Sequence, residues 1–287
     1  MSIVYLNGNY IPMNEARISP MDRGFLFGDG IYEVVPSYDG KLVGLAPHLK
    51  RMQDGLDAIE IELRVDYDHW REIASQLIAR NGNGNGNLGL YFHVSRGADT
   101  KRNHAYPNDV APTIFAFAYE IPSSPVADKK ATTPFTVITA KDLRWQRCNI
   151  KSTSLLGNVM HYQQSHIRQH NETILYNDRD EITEASSCNV YVIKKGIVAT
   201  PLLDEQKLPG ITRNTLLEIL RRDGSIAVQE RVVTLAELRD ADEIWLSSSS
   251  REIVPVIAVD EKPVADGNIG DVWLMAQTLY ATHKFDF

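Results

Sequence analysis

Cysteine is scarce in this chain: Cys148 and Cys188 are the only two among 287 residues. Two thiols cannot build a disulfide framework, and they read as the reduced cysteines of a cytoplasmic protein. Long apolar runs are missing as well, and no stretch approaches the ~18 residues that a membrane helix needs. The opening Met1 to Gly8 shows no basic segment followed by an apolar core, so no export signal is expected. Positive charge is in deficit, with 30 Lys and Arg against 37 Asp and Glu and a net charge of -7. That balance argues against nucleic acid or an anionic membrane as the main partner, although a local cationic pocket survives in an acidic protein. There is no Gly-x-x-x-x-Gly-Lys-Ser/Thr phosphate loop and no Gly-x-Ser-x-Gly elbow. His166 and His170 lie four apart, but they lack a third ligand at readable spacing and read as a solvated helix face.

What is present is the composition of a soluble globular protein, 43% hydrophobic and 23% charged. The length fits one large domain or two of moderate size. Asn7-Gly8-Asn9 between Ile3–Leu6 and Tyr10–Pro12 predicts one hairpin, and Asp39-Gly40 between Ile31–Tyr38 and Lys41–Leu45 a second. Pro47 opens a helix to about Ile59 with Leu49, Met52, Leu56 and Ile59 as its buried stripe. A further helix covers about Asp68 to Arg80 and ends in the surface-loop tract Asn81 to Asn87; strands follow at Leu88–Arg96 and Thr113–Tyr119. The prolines and serines from Ile121 to Pro125 suggest a linker. The expected division is a smaller domain over 1–120, a linker over 121–128 and a larger domain over 129–287. In the second half, helices are expected at Lys151 to Gln169, Thr212 to Arg222 and Asp271 to Thr282, with strands near Thr173–Tyr176, Asn189–Lys194, Ile244–Ser247 and Ile253–Val259. The fold class is α+β, with the reactive centre in the cleft between two domains.

Lys151 stands where a strand region, Phe135 to Thr139, hands over to a helix-patterned segment with Leu155, Leu156, Val159 and Met160 on one face. Ser152, Thr153 and Ser154 supply capping residues there. A lysine on rigid scaffold can form a Schiff base once burial or a neighbouring cation lowers its pKa. Taken alone, it is as easily a solvated surface charge.

Four segments change that reading: Asp22 to Glu33, Arg144-Trp145-Gln146-Arg147-Cys148-Asn149-Ile150-Lys151-Ser152, Ile182 to Val190, and Leu208-Pro209-Gly210-Ile211-Thr212-Arg213, followed by Ser247 to Ser250. The set resembles the fold type IV pyridoxal-phosphate enzymes, over nearly the whole chain, and within them the D-amino acid aminotransferases. The resemblance implies pyridoxal 5'-phosphate as cofactor, held by Lys151 as a Schiff base, with Lys151 also shuttling the substrate's proton. It implies Glu184 at the pyridine nitrogen, where a carboxylate favours the protonated ring, and Leu208 against the ring face. It places the phosphate at Ile211 and Thr212, where a helix start offers free N–H groups, with Ser248 and Ser249 adding hydroxyls and Arg51 a charged contact.

The segment Arg96 to His104 resembles the loop whose Arg-x-His pair grips the substrate α-carboxylate. This implies Arg102, His104 and Tyr32 as the carboxylate site, with the loop reaching the neighbouring subunit of a homodimer. Here the stretch from Arg96 to Arg102 is a residue longer, and Thr100-Lys101 replaces a Ser-Pro-like turn. The implied activity is ping-pong transamination between a D-amino acid such as D-alanine and a 2-oxo acid such as 2-oxoglutarate. Branched-chain L-amino acid or (R)-amine transamination, and an aminodeoxychorismate-type lyase, are the alternatives on the same fold. A non-catalytic scaffold would require loss of the lysine or the acid, and both are present.

Overall fold

The structure, a computed structural model, describes residues 2–82 and 86–287. It divides into two compact units, one of Met1–Ser123, Ile150–Leu155 and Phe287, the other of Ser124–Asn149 and Leu156–Asp286. Residues 83–85 of the expected Asn81–Asn87 loop lie outside the described residues; Asn81 itself still belongs to a helix.

The first unit is built on a six-stranded sheet in the order β2-β1-β6-β5-β3-β4. Its strands are β1 (Ile3–Leu6), β2 (Asn9–Pro12), β3 (Gly30–Tyr38), β4 (Lys41–Leu42), β5 (Leu88–Ser95) and β6 (Thr113–Glu120). Every pairing is antiparallel. Both expected hairpins form, and each turns on two residues of positive φ, Asn7 with Gly8 and Asp39 with Gly40. That is the geometry tight two-residue hairpins require. Helices α2 (Leu45–Ala58) and α3 (Tyr67–Asn81) cover one face. Ile31, Val35, Leu49, Met52, Leu56, Trp70, Ile73, Leu77, Leu90 and Phe92 bury there, at about 1.5–3 kcal/mol for each large side chain. α2 starts two residues ahead of Pro47, after Gly44 in the left-handed region, so the proline sits in the first turn where it has no hydrogen bond to lose.

Asp22 to Gly30 packs against the end of this sheet. Asp22 caps the short helix α1 (Arg23–Phe27) by accepting from the Gly24 N–H at 2.8 Å, and it also takes the hydroxyls of Ser95 at 2.7 Å and Thr113 at 2.6 Å. Gly24 lies so close to β5 that an added Cβ would fall 2.7 Å from the Ser95 Cβ.

The segment Ile150–Leu155 lies outside any helix or strand and belongs to this first unit, not to a helix of the second. The reason is backbone pairing with β3. Tyr32 N–H donates to the Lys151 carbonyl at 3.1 Å, Ile31 bridges Ser152, and Thr153 N–H donates to the Gly30 carbonyl at 2.9 Å. The Thr153 and Ser154 hydroxyls are likewise spent on the Gly28 carbonyl, at 2.9 and 3.0 Å. They do not cap a helix.

The second unit carries a nine-stranded sheet, along the path β12-β11-β10-β13-β14-β7-β8-β9 with β15 beside β14. Its strands are β7 (Phe135–Lys141), β8 (Glu172–Tyr176), β9 (Ile182–Ala185), β10 (Asn189–Lys194), β11 (Ile197–Pro201), β12 (Val228–Arg231), β13 (Glu243–Ser248), β14 (Glu252–Val259) and β15 (Lys262–Pro263). Its helices are α4 (Leu156–Ile167), α5 (Ile211–Asp223), α6 (Leu235–Arg239) and α7 (Asp271–His283). Val137, Ile174, Val190, Val192, Leu246 and Val256 fill the main core, while α5 and α7 pack together beside β13. α6 escapes the sequence pattern because it spans barely one turn, held by the reciprocal Thr234–Glu237 capping box. The apolar positions of α4 face outward: Leu156, Val159 and Met160 are 72%, 59% and 61% exposed.

Gly24→Ala should destabilise the protein by about 1–3 kcal/mol, because β5 leaves no room for the methyl group. Thermal melts of the variant should show a clear downward shift, and an unchanged midpoint would contradict the close approach.

Candidate active site

In the first unit, Lys151 is half-buried beside β3 with its Nζ 4.2 Å from the centre of the Tyr32 ring. Among the described residues no carboxylate pairs with this ammonium, so the amine is not committed to a salt bridge. Tyr32 stacks on Tyr91 at 5.6 Å, on the sheet face away from the helices. The next residue, Glu33, points to the other face and is fully buried. Arg51 grips it with two parallel bonds, Nε to Oε1 and Nη2 to Oε2, both 2.7 Å, and His48 Nδ1 donates to Oε2 at 2.7 Å. Burial alone would raise the Glu33 carboxyl, but Arg51 and then His48 override it and hold it at about 2. Burial pushes His48 below the ordinary imidazole value, with Glu33 pulling it back up. Arg102 and His104 are exposed and share one platform, the Phe27 ring, at 4.9 and 5.4 Å. Among the described residues, no hydrogen bond or ring contact joins either of them to Tyr32 or Lys151.

In the second unit, Glu184 comes from β9 and is 6% exposed. Its Oε1 accepts from Arg144 Nη1 at 2.5 Å and its Oε2 from the Leu208 N–H at 2.9 Å. Arg144 is itself braced by Asp142, through Nε at 3.0 Å and Nη2 at 2.8 Å. Burial pushes the Glu184 carboxyl above the usual range, while Arg144 and the Leu208 amide pull it back. Asn189 donates to the Leu208 carbonyl at 2.9 Å, so Leu208 is held at both its amide and its carbonyl. Two residues on, Gly210 precedes α5 with no side-chain cap, which leaves the first-turn amides of Ile211 and Thr212 to other partners. Ser248 ends β13 and Ser249 follows in the turn to β14.

Each unit thus offers groups that a phosphate-bearing aldehyde cofactor needs: the first a lysine that pairs with no carboxylate among the described residues, the second a buried acid and uncapped helix amides. The profile of the amino-transferase class IV family matches residues 30–259. The chain belongs to the class IV aminotransferases. It is 35% identical to a D-alanine aminotransferase of Listeria monocytogenes over 271 residues, covering 94% of this chain and 91% of that one. A D-alanine aminotransferase of Staphylococcus haemolyticus is 36% identical over 275 residues, covering 95% and 94%. Among solved structures, the branched-chain aminotransferase of the archaeon Thermoproteus uzoniensis with norvaline superposes with a TM-score of 0.86 at 19% identity, over 99% of this chain and 95% of that chain. The Escherichia coli branched-chain aminotransferase gives 0.84 at 21%, over 96% and 92%. At that identity the likeness speaks for the fold alone, the fold type IV architecture.

As a class IV aminotransferase the protein uses pyridoxal 5'-phosphate, and its residues fit that group. Gly210 is closely packed, since an added Cβ would fall 2.0 Å from the Asn189 Oδ1. A side chain there would displace the amide that clips Leu208. Sequence reading did not find the residues that brace these candidates: Asp142 and Arg144 beside Glu184, Asn189 beside Leu208, and Glu33 beside Arg51. Arg144 and Asp142 lay in or beside the Arg-Trp-x-Arg motif without a role, and Glu33 and Asn189 meet partners 18 and 19 residues away.

Two measurements test this geometry. Glu33 has its carboxyl lowered from 4.5 to about 2, so its contribution is present above about pH 4.5 and is lost as the pH falls through about 2. Glu33→Gln should flatten that part of the acid-unfolding curve while costing about 3–5 kcal/mol at neutral pH; an unaltered acid limb would contradict the pairing. Gly210→Ala should weaken cofactor affinity by about tenfold or more, and adding Asn189→Ala should return part of it. Equal affinity in Gly210→Ala and the parent protein would show that the contact is not binding-critical.

Proposed function

We propose that the protein is a D-amino acid aminotransferase, exchanging the amino group of a D-amino acid such as D-alanine with a 2-oxo acid such as 2-oxoglutarate in a ping-pong cycle. The observation that carries this reading is Lys151, with its Nζ 4.2 Å from the Tyr32 ring and free of any carboxylate among the described residues. Resemblance to D-alanine aminotransferases along 94% of the chain supports it.

When bound, pyridoxal 5'-phosphate supplies an electron sink that acidifies the substrate's α-proton. Lys151 would hold the cofactor through its amine and, once free of it, would accept and return the substrate's α-proton. Glu184 would keep the ring nitrogen protonated, since a carboxylate in a dry setting favours a neighbouring cation. Leu208, clipped by Asn189, would pack on the ring. Ile211 and Thr212 would offer their amides to the phosphate, Ser248 and Ser249 their hydroxyls, and Arg51 a charged contact. Arg102 grips the substrate α-carboxylate, with His104 and Tyr32 beside it.

The working unit in this reading is a homodimer in which the Arg102–His104 loop serves the neighbouring subunit. The exposed Leu156, Val159 and Met160 on α4 support association, because an apolar stripe of that kind is costly to leave in water. The cytoplasm suits the two thiols, each raised to about 12 by burial and therefore unreactive.

The test is a set of half-reactions on the holoenzyme, with D-alanine, L-leucine and (R)-1-phenylethylamine in separate cuvettes. Loss of the Schiff-base absorbance with D-alanine alone is expected. Conversion with L-leucine or the amine instead would retain Lys151 and Glu184 but refute the carboxylate site. Lys151→Ala should lack both the absorbance and turnover, and normal turnover in that variant would end the proposal.

A further inference from the structure

The Asp22 to Gly30 segment does more than turn the chain into β3. Arg23 is 3% exposed, and its single side chain spans from a carboxylate to three consecutive carbonyls. Its Nε donates to Asp29 Oδ2 at 2.7 Å, its Nη1 to the Asn103 carbonyl at 2.6 Å and the Ala105 carbonyl at 3.3 Å, and its Nη2 to the His104 carbonyl at 3.3 Å. Arg96 grips the same carboxylate, Nε to Oδ2 at 2.8 Å and Nη2 to Oδ1 at 3.0 Å. From there it reaches back to the carbonyls of Ile59 and Glu60 after α2, at 2.5 and 2.9 Å, and lies 3.6 Å over the Tyr106 ring. The loop they hold is exposed from Lys101 to Tyr106 and has no strand or helix of its own. Its backbone is therefore fixed chiefly by these two guanidinium groups, while Phe27 supports the Arg102 and His104 side chains.

We propose that Arg23, oriented by Asp29, is a positioning residue that sets the Asn103–Ala105 backbone and thereby aims Arg102 and His104 at the substrate carboxylate. The proposal rests on the reading of Arg102 and His104 as the carboxylate grip. A planar fork reaches several carbonyls and a carboxylate at once; an ammonium of similar length is a point donor and cannot. Losing the fork frees the loop backbone without touching Lys151 or Glu184. The expected effect thus falls on substrate binding and not on the proton transfer.

The experiment compares holoenzymes carrying Arg23→Lys and Arg102→Lys. Arg23→Lys should raise the KM for D-alanine about tenfold, and the inhibition constant of propionate, a carboxylate with no amine, in parallel. Its kcat should stay within about threefold of the parent, and trypsin should cut faster after Lys101 and Arg102. If both constants stay at parent values while Arg102→Lys raises them, positioning by Arg23 is overturned and the carboxylate site stands. If Arg102→Lys itself moves neither constant, the loop does not grip the carboxylate and the proposal falls with that reading. Should Arg23→Lys fail to fold, Tyr106→Leu decides, since among the described residues that exposed ring stacks on Arg96, which shares the Asp29 carboxylate with Arg23. A rise of about threefold in both constants supports the proposal, and no rise overturns it.

Discussion

A carboxylate removed from water must be paired, and the functional part of this protein depends on arginine meeting that demand. Glu33 is buried against Arg51, Asp29 is shared between Arg23 and Arg96, and Glu184 lies against Arg144, which Asp142 braces in turn. A surface ion pair contributes little, but removing one partner of a buried pair strands a charge in a poor solvent. These pairs therefore act as fixed joints. Each ties a strand or its end to an element far away in sequence: β3 to α2, the end of α1 to β5 and the following loop, and β9 to the segment after β7. Apolar cores stabilise the two sheets, whereas these joints fix the side chains that the proposed reading places in the site.

Much of the fold could be read from the chain because local rules governed it. The hairpins at Asn7-Gly8 and Asp39-Gly40 are set by turn chemistry, and α2, α3, α5 and α7 follow their apolar periodicity to within a few residues. Reading failed where a distant partner overrode a local pattern. Ser152, Thr153 and Ser154 look like helix caps, yet they pair with the start of β3 and the Gly28 carbonyl before it, and α4 starts only at Leu156. The apolar side of α4 has the right spacing for a core helix and still faces outward, since periodicity reports amphipathicity but not what covers the face. Candidate site residues were legible as motif positions, through the resemblance. Their supports were not, because Asp142, Asn189 and Glu33 are ordinary residues until the fold brings a partner to them.

The joints also differ in charge, and the difference follows the chemistry proposed for each place. Around Glu184 two carboxylates meet one guanidinium, leaving one negative charge in surplus. A protonated ring nitrogen would complete that balance, while burial keeps the free acid above its ordinary value until a cation arrives. Around Asp29 the count is reversed: two guanidinium groups meet one carboxylate, and the surplus positive charge lies under the loop that presents Arg102. A carboxylate approaching that loop meets a favourable field before it meets any side chain. Glu33 and Arg51 cancel in charge; in the proposed reading, the uncapped start of α5 carries the main electrostatic share of phosphate binding. A helix dipole is fixed by the backbone and cannot be titrated away, which makes it the steadier anchor for a group that must stay in place while the amine end of the cofactor is exchanged.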